Sequence, residues 1–342
     1  VKWNIDTKFR VELENRIESA LAAAFSNPFA YEPQLVANMI WHLPHHIDGI
    51  SSQNGHQIRS SGIFIHGQPF VKCDEFPDPR PMSVELGDLL LLRTAVVNGV
   101  VSERRAMLLQ AKKYRKGPVA PDNRNQQALY ENWPTFEYVR STPALNGKKR
   151  HLTGCDLYSA AKYLLIKDQR GCTPGCPALG LTYPLCEGSC PALVTAHPTS
   201  PTLSNYREFK TELFEFILGD AGKAFVSPPP KRERNWDKVI DDLTTITAER
   251  HSSWMRRASS NKSNERGQML YRSIRRQMDF AVGTSSKHSQ LDYTQFPRQT
   301  EMDKMYDGPP EIPPMEFDGE EYEDGGMSIL EFVVSHEGGR YE

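Results

Sequence analysis

Apolar residues recur at every fourth position through residues 8–25, at Phe9, Leu13, Ile17, Leu21 and Phe25. That spacing lines one face of a helix, which the Asn27-Pro28 pair should end. A second helical stretch is expected over 33–41, followed by short β-like runs at 63–65 and 70–73. The proline-rich link at 76–81 then announces a new element. There the pattern changes: Val84-Glu85-Leu86-Gly87-Asp88 runs into the aliphatic block Leu89 to Leu92. Asn98-Gly99 lies between Val96-Val97 and Val100-Val101, a strong hairpin signal because both residues tolerate the positive φ of a tight turn. The return strand is expected over 105–114. Its apolar run Ala106 to Leu109 is interrupted by Gln110-Ala111-Lys112-Lys113.

Beyond the hairpin the pattern predicts a helix over 123–132, a strand over 161–167 and a helix over 206–218 that stops at Gly219. Residues 171–191 form an island of Cys, Pro and Gly that fits neither helix nor strand and reads as an insertion. Ser227-Pro228-Pro229-Pro230 is the best linker candidate. Two basic amphipathic helices are expected after it, over 236–254 and 268–280. Residues 297–326 read as irregular, and 327–335 hold a β-like run able to return as a strand of the main sheet. Three parts follow: a catalytic-type domain over 1–226 carrying the 171–191 insertion, a basic helical region over 231–282, and an acidic segment over 297–342.

Composition is that of an ordinary globular chain, 38% hydrophobic and 25% charged over 342 residues, with no stretch able to span a bilayer. The first residues carry no apolar signal-peptide core, so the expected location is cytoplasmic, with no membrane partner. Net charge is −2, yet its distribution is uneven. Residues 301–342 hold 13 acidic and 2 basic groups, which leaves 39 basic and 30 acidic groups in residues 1–300. A basic body is compatible with a polyanionic partner such as nucleic acid, and equally with ordinary solvated charge.

The interrupted strand carries candidate chemistry. Phosphodiester hydrolysis calls for a divalent cation, oxygen ligands to hold it, and a group that positions the attacking water. Residues two apart on a strand share a face, so Gln110 and Lys112 project together while Ala111 turns away. The expected roles are Asp88 as carboxylate ligand, Gln110 as ligand through its amide oxygen, and the Ala111 backbone carbonyl as a further ligand. Lys112 would orient the water and offset charge on the phosphate. The alternative is that Asp88 caps a turn and Gln110 and Lys112 mark a strand leaving the core. Register supplies a check. A strict two-residue turn with an unbroken ladder pairs Asp88 with Leu109 and separates it from Gln110. A β-bulge or a three-residue loop is therefore expected between the two strands.

Gly87-Asp88 followed by Gln110-Ala111-Lys112 resembles the PD-(D/E)xK nuclease superfamily, in the Q-x-K form of Mrr-like restriction endonucleases. Gln126 and Tyr130, one helical turn apart, are similar to the Q-x-x-x-Y motif of RecB-like nucleases, where an amide and a phenol reach the DNA backbone or support the active site. The resemblance covers about residues 9–170. It implies an α/β, restriction-endonuclease-like fold: a mixed central sheet flanked by helices, here with a Cys-rich insertion and a C-terminal helical region. It also implies a Mg2+- or Mn2+-dependent endonuclease acting on DNA, with a role in restriction or anti-phage defence. Family members often place a first-helix Glu near the metal; Glu14 is the candidate and Glu18 its rival, with Glu85 and Glu103 weaker. A neutral Gln110 removes one negative charge from such a site, so a subunit that binds nucleic acid or acts as a scaffold without catalysis is the alternative function.

Cys172, Cys176, Cys186 and Cys190 have spacing suited to a structural Zn2+, with free thiols or disulfides as the other readings and His197 a possible substitute ligand. Residues 231–276 carry 12 basic and 6 acidic groups, fit either to track phosphate or to sit as solvated charge on helices packed against the core. A homodimer or a partner protein subunit is compatible with the acidic tail.

Overall fold

The computed structural model describes residues 5–26, 30, 32–64, 67, 69–114, 123–152, 157–167, 193–199, 201–229, 235–260 and 326–336, with side chains of the last helix through residue 247. The cysteine island, the expected helix at 268–280 and the irregular stretch at 297–325 lie outside the described residues.

Helix α1 (Thr7–Ala24) starts at Asp6, whose carboxylate accepts from the Phe9 N–H, and buries Phe9, Leu13 and Ile17 as its spacing requires. Helix α2 (Glu32–Ile47) is longer than expected and runs through Pro44. Next come β1 (His56–Ile63), β2 (Phe70–Lys72) and β3 (Val84–Glu85), then the hairpin strands β4 (Leu89–Val97) and β5 (Val100–Tyr114). Asn98 and Gly99 both take positive φ, as a two-residue turn that matches strand twist demands. After the hairpin follow α3 (Arg124–Asn132), β6 (Phe136–Arg140), β7 (Lys149–Arg150), α4 (Leu157–Ala160) and β8 (Ala161–Lys167). The chain continues through β9 (Leu193–Thr199), β10 (Thr202–Glu208), α5 (Phe209–Leu218), β11 (Lys223–Ala224), α6 (Asn235–Ser260) and β12 (Ser328–His336). The helix expected over 206–218 thus begins only at Phe209, because Thr202–Glu208 is taken up by pairing with β9.

The main sheet runs β1-β12-β4-β5-β8-β9-β10, with β11 paired to β5. β4 and β5 are antiparallel, while β5 and β8 are parallel, as a connection through a helix allows. The expected C-terminal strand does return: β12 lies between β1 and β4, antiparallel to the first and parallel to the second. With both faces of β4 covered, its near-continuous aliphatic run has a physical reason. A smaller sheet, β3-β2-β6-β7, sits beside it. The whole is an α/β fold with a mixed central sheet flanked by helices.

Side chains of the central strands alternate between two cores. Leu89, Leu91, Met107, Leu109 and Ala111 pack with α1, α2 and α5. Leu90, Leu92, Leu108, Tyr163 and Leu165 pack with α3, α4, α6 and the small sheet. Helix α6 is not a detached basic module in its first half. Trp236, Val239, Ile240, Leu243 and Ile246 are buried in the second core, and Arg150 of β7 forms a two-pronged ion pair with Asp242 at 2.7 and 2.9 Å. The Thr247 hydroxyl donates to the Met327 carbonyl at 2.7 Å, joining α6 to the start of β12.

Candidate active site

The register that decides the site is set near the turn. Val97 pairs with Val100 and Val96 with Val101, but Ala95 pairs with Glu103, leaving Ser102 as one extra residue in β5. Its hydroxyl donates to the Ala95 carbonyl at 3.2 Å. Below this bulge the ladder continues to Leu89 opposite Leu109, and the Asp88 N–H donates to the Leu109 carbonyl at 2.9 Å. The next step brings Asp88 opposite Gln110, on the face of the sheet that carries Leu90, Leu108 and α3.

Gly87 is needed for close approach. A Cβ there would lie 2.8 Å from Leu108 Cδ1 and 2.9 Å from the Tyr130 hydroxyl. That hydroxyl donates to the Leu86 carbonyl at 2.8 Å, so α3 grips the chain immediately before Asp88. Helix α3 is itself fixed: Asn123 caps it by accepting from the Gln126 N–H at 3.0 Å. Buried Asn125 also exchanges hydrogen bonds of 2.8 Å with the backbone of Asp78 and Pro81.

Asp88, Gln110 and Gln126 form one buried chain of hydrogen bonds. Asp88 Oδ2 accepts from Gln110 Nε2 and, at 2.8 Å, from the Ala111 N–H. Gln110 Oε1 accepts from Gln126 Nε2 at 2.7 Å, and the same nitrogen donates to the Glu85 carbonyl at 3.2 Å. Asp88 Oδ1 receives no hydrogen bond from the described residues. Lys112 reaches over the end of β5, its Nζ 3.7 Å from Glu32 Oε1, while Glu32 Oε2 accepts from the Lys113 N–H at 2.9 Å.

The electrostatics are those of crowded negative charge. Burial, then the charges of Glu85 and Glu32, hold the Asp88 carboxyl well above the usual carboxylate range; Lys112 and the Ala111 N–H pull the other way without offsetting them. Tyr163, the neighbour of Gln110 on β8, is buried against Asp88, and its phenol is pushed up by burial and by that charge.

Several expectations change here. Gln110 turns its amide nitrogen to Asp88 and spends its oxygen on Gln126, so in this arrangement it is a donor to the carboxylate and not an oxygen ligand. Ala111 meets Asp88 through its N–H. Gln126 and Tyr130 are buried and bonded inward, which makes them supports of the site and not a surface for nucleic acid. Glu14 and Glu18 are exposed on α1 and lie by Lys210 of α5, the one through its charge and the other at 3.4 Å. Glu103 is committed to Arg93 and Arg105, both at 2.9 Å. Two acids act on the Asp88 charge: Glu85, which sequence reasoning ranked low, and Glu32, which it passed over and which also lies 3.7 Å from the Lys112 ammonium. An acid at a helix start before Pro33 looks like ordinary charge in a first turn, and no spacing rule links it to β5.

The oxygen donors present for a hard divalent cation are Asp88 Oδ1, which accepts no hydrogen bond from the described residues, and Glu32, whose charge acts on Asp88. Among the described residues no three His, Cys, Asp or Glu side chains are close enough to form an all-protein cage. Mg2+ does not require one, since it is commonly held by one or two carboxylates with water and phosphate oxygens completing the shell. No described helix is long and apolar enough to cross a membrane. Comparison of the chain with protein-family models, with curated proteins and with solved structures returns no match.

Proposed function

We propose that this chain is a divalent-cation-dependent nuclease that hydrolyses phosphodiester bonds, with DNA as the preferred substrate. The observation that carries the reading is the meeting of Asp88, Gln110, Lys112 and Glu32 at the start of β4 and the end of β5, with the extra residue Ser102 taken up by a bulge so that Asp88 stands opposite Gln110. Asp88 and Glu32 are the residues that would hold the cation. A bound Mg2+ or Mn2+ supplies Lewis-acid polarisation of the phosphate and a more acidic water.

The chain's own groups do the rest. Lys112, tethered to Glu32, offsets charge that develops on the phosphate and orients the attacking water. Gln110 and the Ala111 N–H hold Asp88 in one rotamer, so its second oxygen keeps its direction. Tyr130 fixes Leu86 and thereby the start of β4.

The reading is tested by incubating supercoiled plasmid, single-stranded DNA and RNA with the protein and Mg2+ or Mn2+, beside Asp88→Ala and Lys112→Ala. Cleavage by the wild type alone is expected. Intact nucleic acid in every lane, with either cation, removes the catalytic reading. One observation favours a second function: the Gln110 amide oxygen is already bonded, as in a site that has given up a ligand. A nucleic-acid-binding subunit of the same fold would then shift DNA in a gel without cutting it.

A further inference from the structure

Which end of the Gln110 amide faces Asp88 is decided one residue further away. The nitrogen and oxygen of a carboxamide are equal in size, so their assignment follows from what surrounds them. Here the fixed point is a backbone carbonyl. The Glu85 oxygen can only accept, and Gln126 Nε2 is 3.2 Å from it. The other proton on that nitrogen goes to Gln110 Oε1 at 2.7 Å. Reversing Gln126 would set two carbonyl oxygens against each other in a buried place, with no hydrogen bond to offset the loss. Gln110 must therefore accept from Gln126, and its nitrogen is left for Asp88 Oδ2. All three side chains are buried, so no bulk water competes for these positions.

We propose that Gln126 is a positioning residue that locks Gln110 as a donor to Asp88, which restricts the cation to two carboxylates and makes its binding depend on phosphate oxygens from the substrate. This inference rests on the cation-dependent reading of the site. In the absence of a phosphodiester the protein holds Mg2+ or Mn2+ weakly. The cation and the scissile phosphate enter together, which protects the buried Asp88 from adventitious ions.

The test is calorimetric titration of the full chain with Mn2+, without nucleic acid, for wild type and Gln126→Glu. The new carboxyl, protonated in this buried position, donates to the Glu85 carbonyl and accepts from Gln110, which turns its oxygen toward Asp88. Mn2+ binding should tighten by roughly tenfold, the scale on which partners of metal ligands act. A purely structural Gln126 would give unchanged or weaker binding on substitution, and either result overturns the proposal. A measurement on the wild type covers a variant that does not fold. In the nuclear Overhauser spectrum the Gln110 side-chain NH2 should give a cross-peak to the Ala111 amide, since both donate to Asp88 Oδ2. Its absence overturns the proposal. Neither readout uses cleavage, so failure of the nuclease reading is recorded separately in the plasmid assay.

Discussion

Gln110 donates to Asp88 across β4 and β5, one register step from the pairing that an unbroken two-residue hairpin would impose. Ser102 absorbs the difference near the turn. Removing Ser102 makes the ladder continuous from Val97 opposite Val100 down to Leu89 opposite Leu109, and Asp88 stays opposite Gln110. The deletion is expected to cost no more than about 1 kcal/mol by denaturant unfolding and to leave cation binding intact. Loss of cation binding in a folded deletion variant would show that the bulge does more than set register.

Glu32, and not Glu14, should matter to the cation. Glu32→Gln keeps an acceptor for the Lys113 N–H while removing the charge next to Lys112. Cleavage and cation affinity are expected to fall by roughly tenfold or more, within the range for partners of a metal site, with Glu14→Gln near wild type. Equal losses in both variants, or none in either, would contradict the assignment.

Asp88 should trade stability for function. Its pKa is raised on folding, so the native state holds a proton that the unfolded chain gives up near pH 4, and the cost of the charged form grows as pH rises. Without cation, Asp88→Asn is therefore expected to be more stable than wild type at pH 8, by about 2 °C in Tm or more, and no more stable at pH 3.5. The same variant should lose cleavage. Melting curves that stay parallel across that pH range would refute the linkage.

Glu331 supplies a second pH dependence, on a different strand from Asp88. It sits in the core on β12, accepts from the Thr94 hydroxyl at 3.3 Å, and burial pushes its pKa up to about 7. A raised acid in the folded state means stability is lost as pH rises from the unfolded value, about 4.3, through 7. Glu331→Gln should remove that slope and gain up to about 3 kcal/mol at pH 8. The check is chemical denaturation at pH 5 and pH 8; an unchanged slope in the variant would assign the pH dependence to other groups.

Local order was legible along the chain wherever a periodic pattern met a clear stop. Fourfold spacing marked α1, Asn98-Gly99 marked the hairpin, Asn123 and the apolar positions after it marked α3, and residues 327–335 announced β12. Even the bulge followed from arithmetic, because strand parity leaves only two outcomes for Asp88 and chemistry favours one. The limits appear at β1 and β10, whose polar residues carry no alternation strong enough to mark a strand, and whose pairing comes from β12 and β9.

Nearest-neighbour chemistry set what each residue offers; long-range packing set whom it meets. Asp88, Gln110 and Lys112 were readable because two adjacent strands and one turn relate them. Glu32 reaches the end of β5 only because α2 packs across the sheet, and Gln126 meets the Glu85 carbonyl only because α3 crosses from β5 toward β8. Those meetings join residues far apart in the chain. They fix whether an amide presents nitrogen or oxygen, a choice that depends on the partner's polarity and leaves no trace in the order of the amino acids.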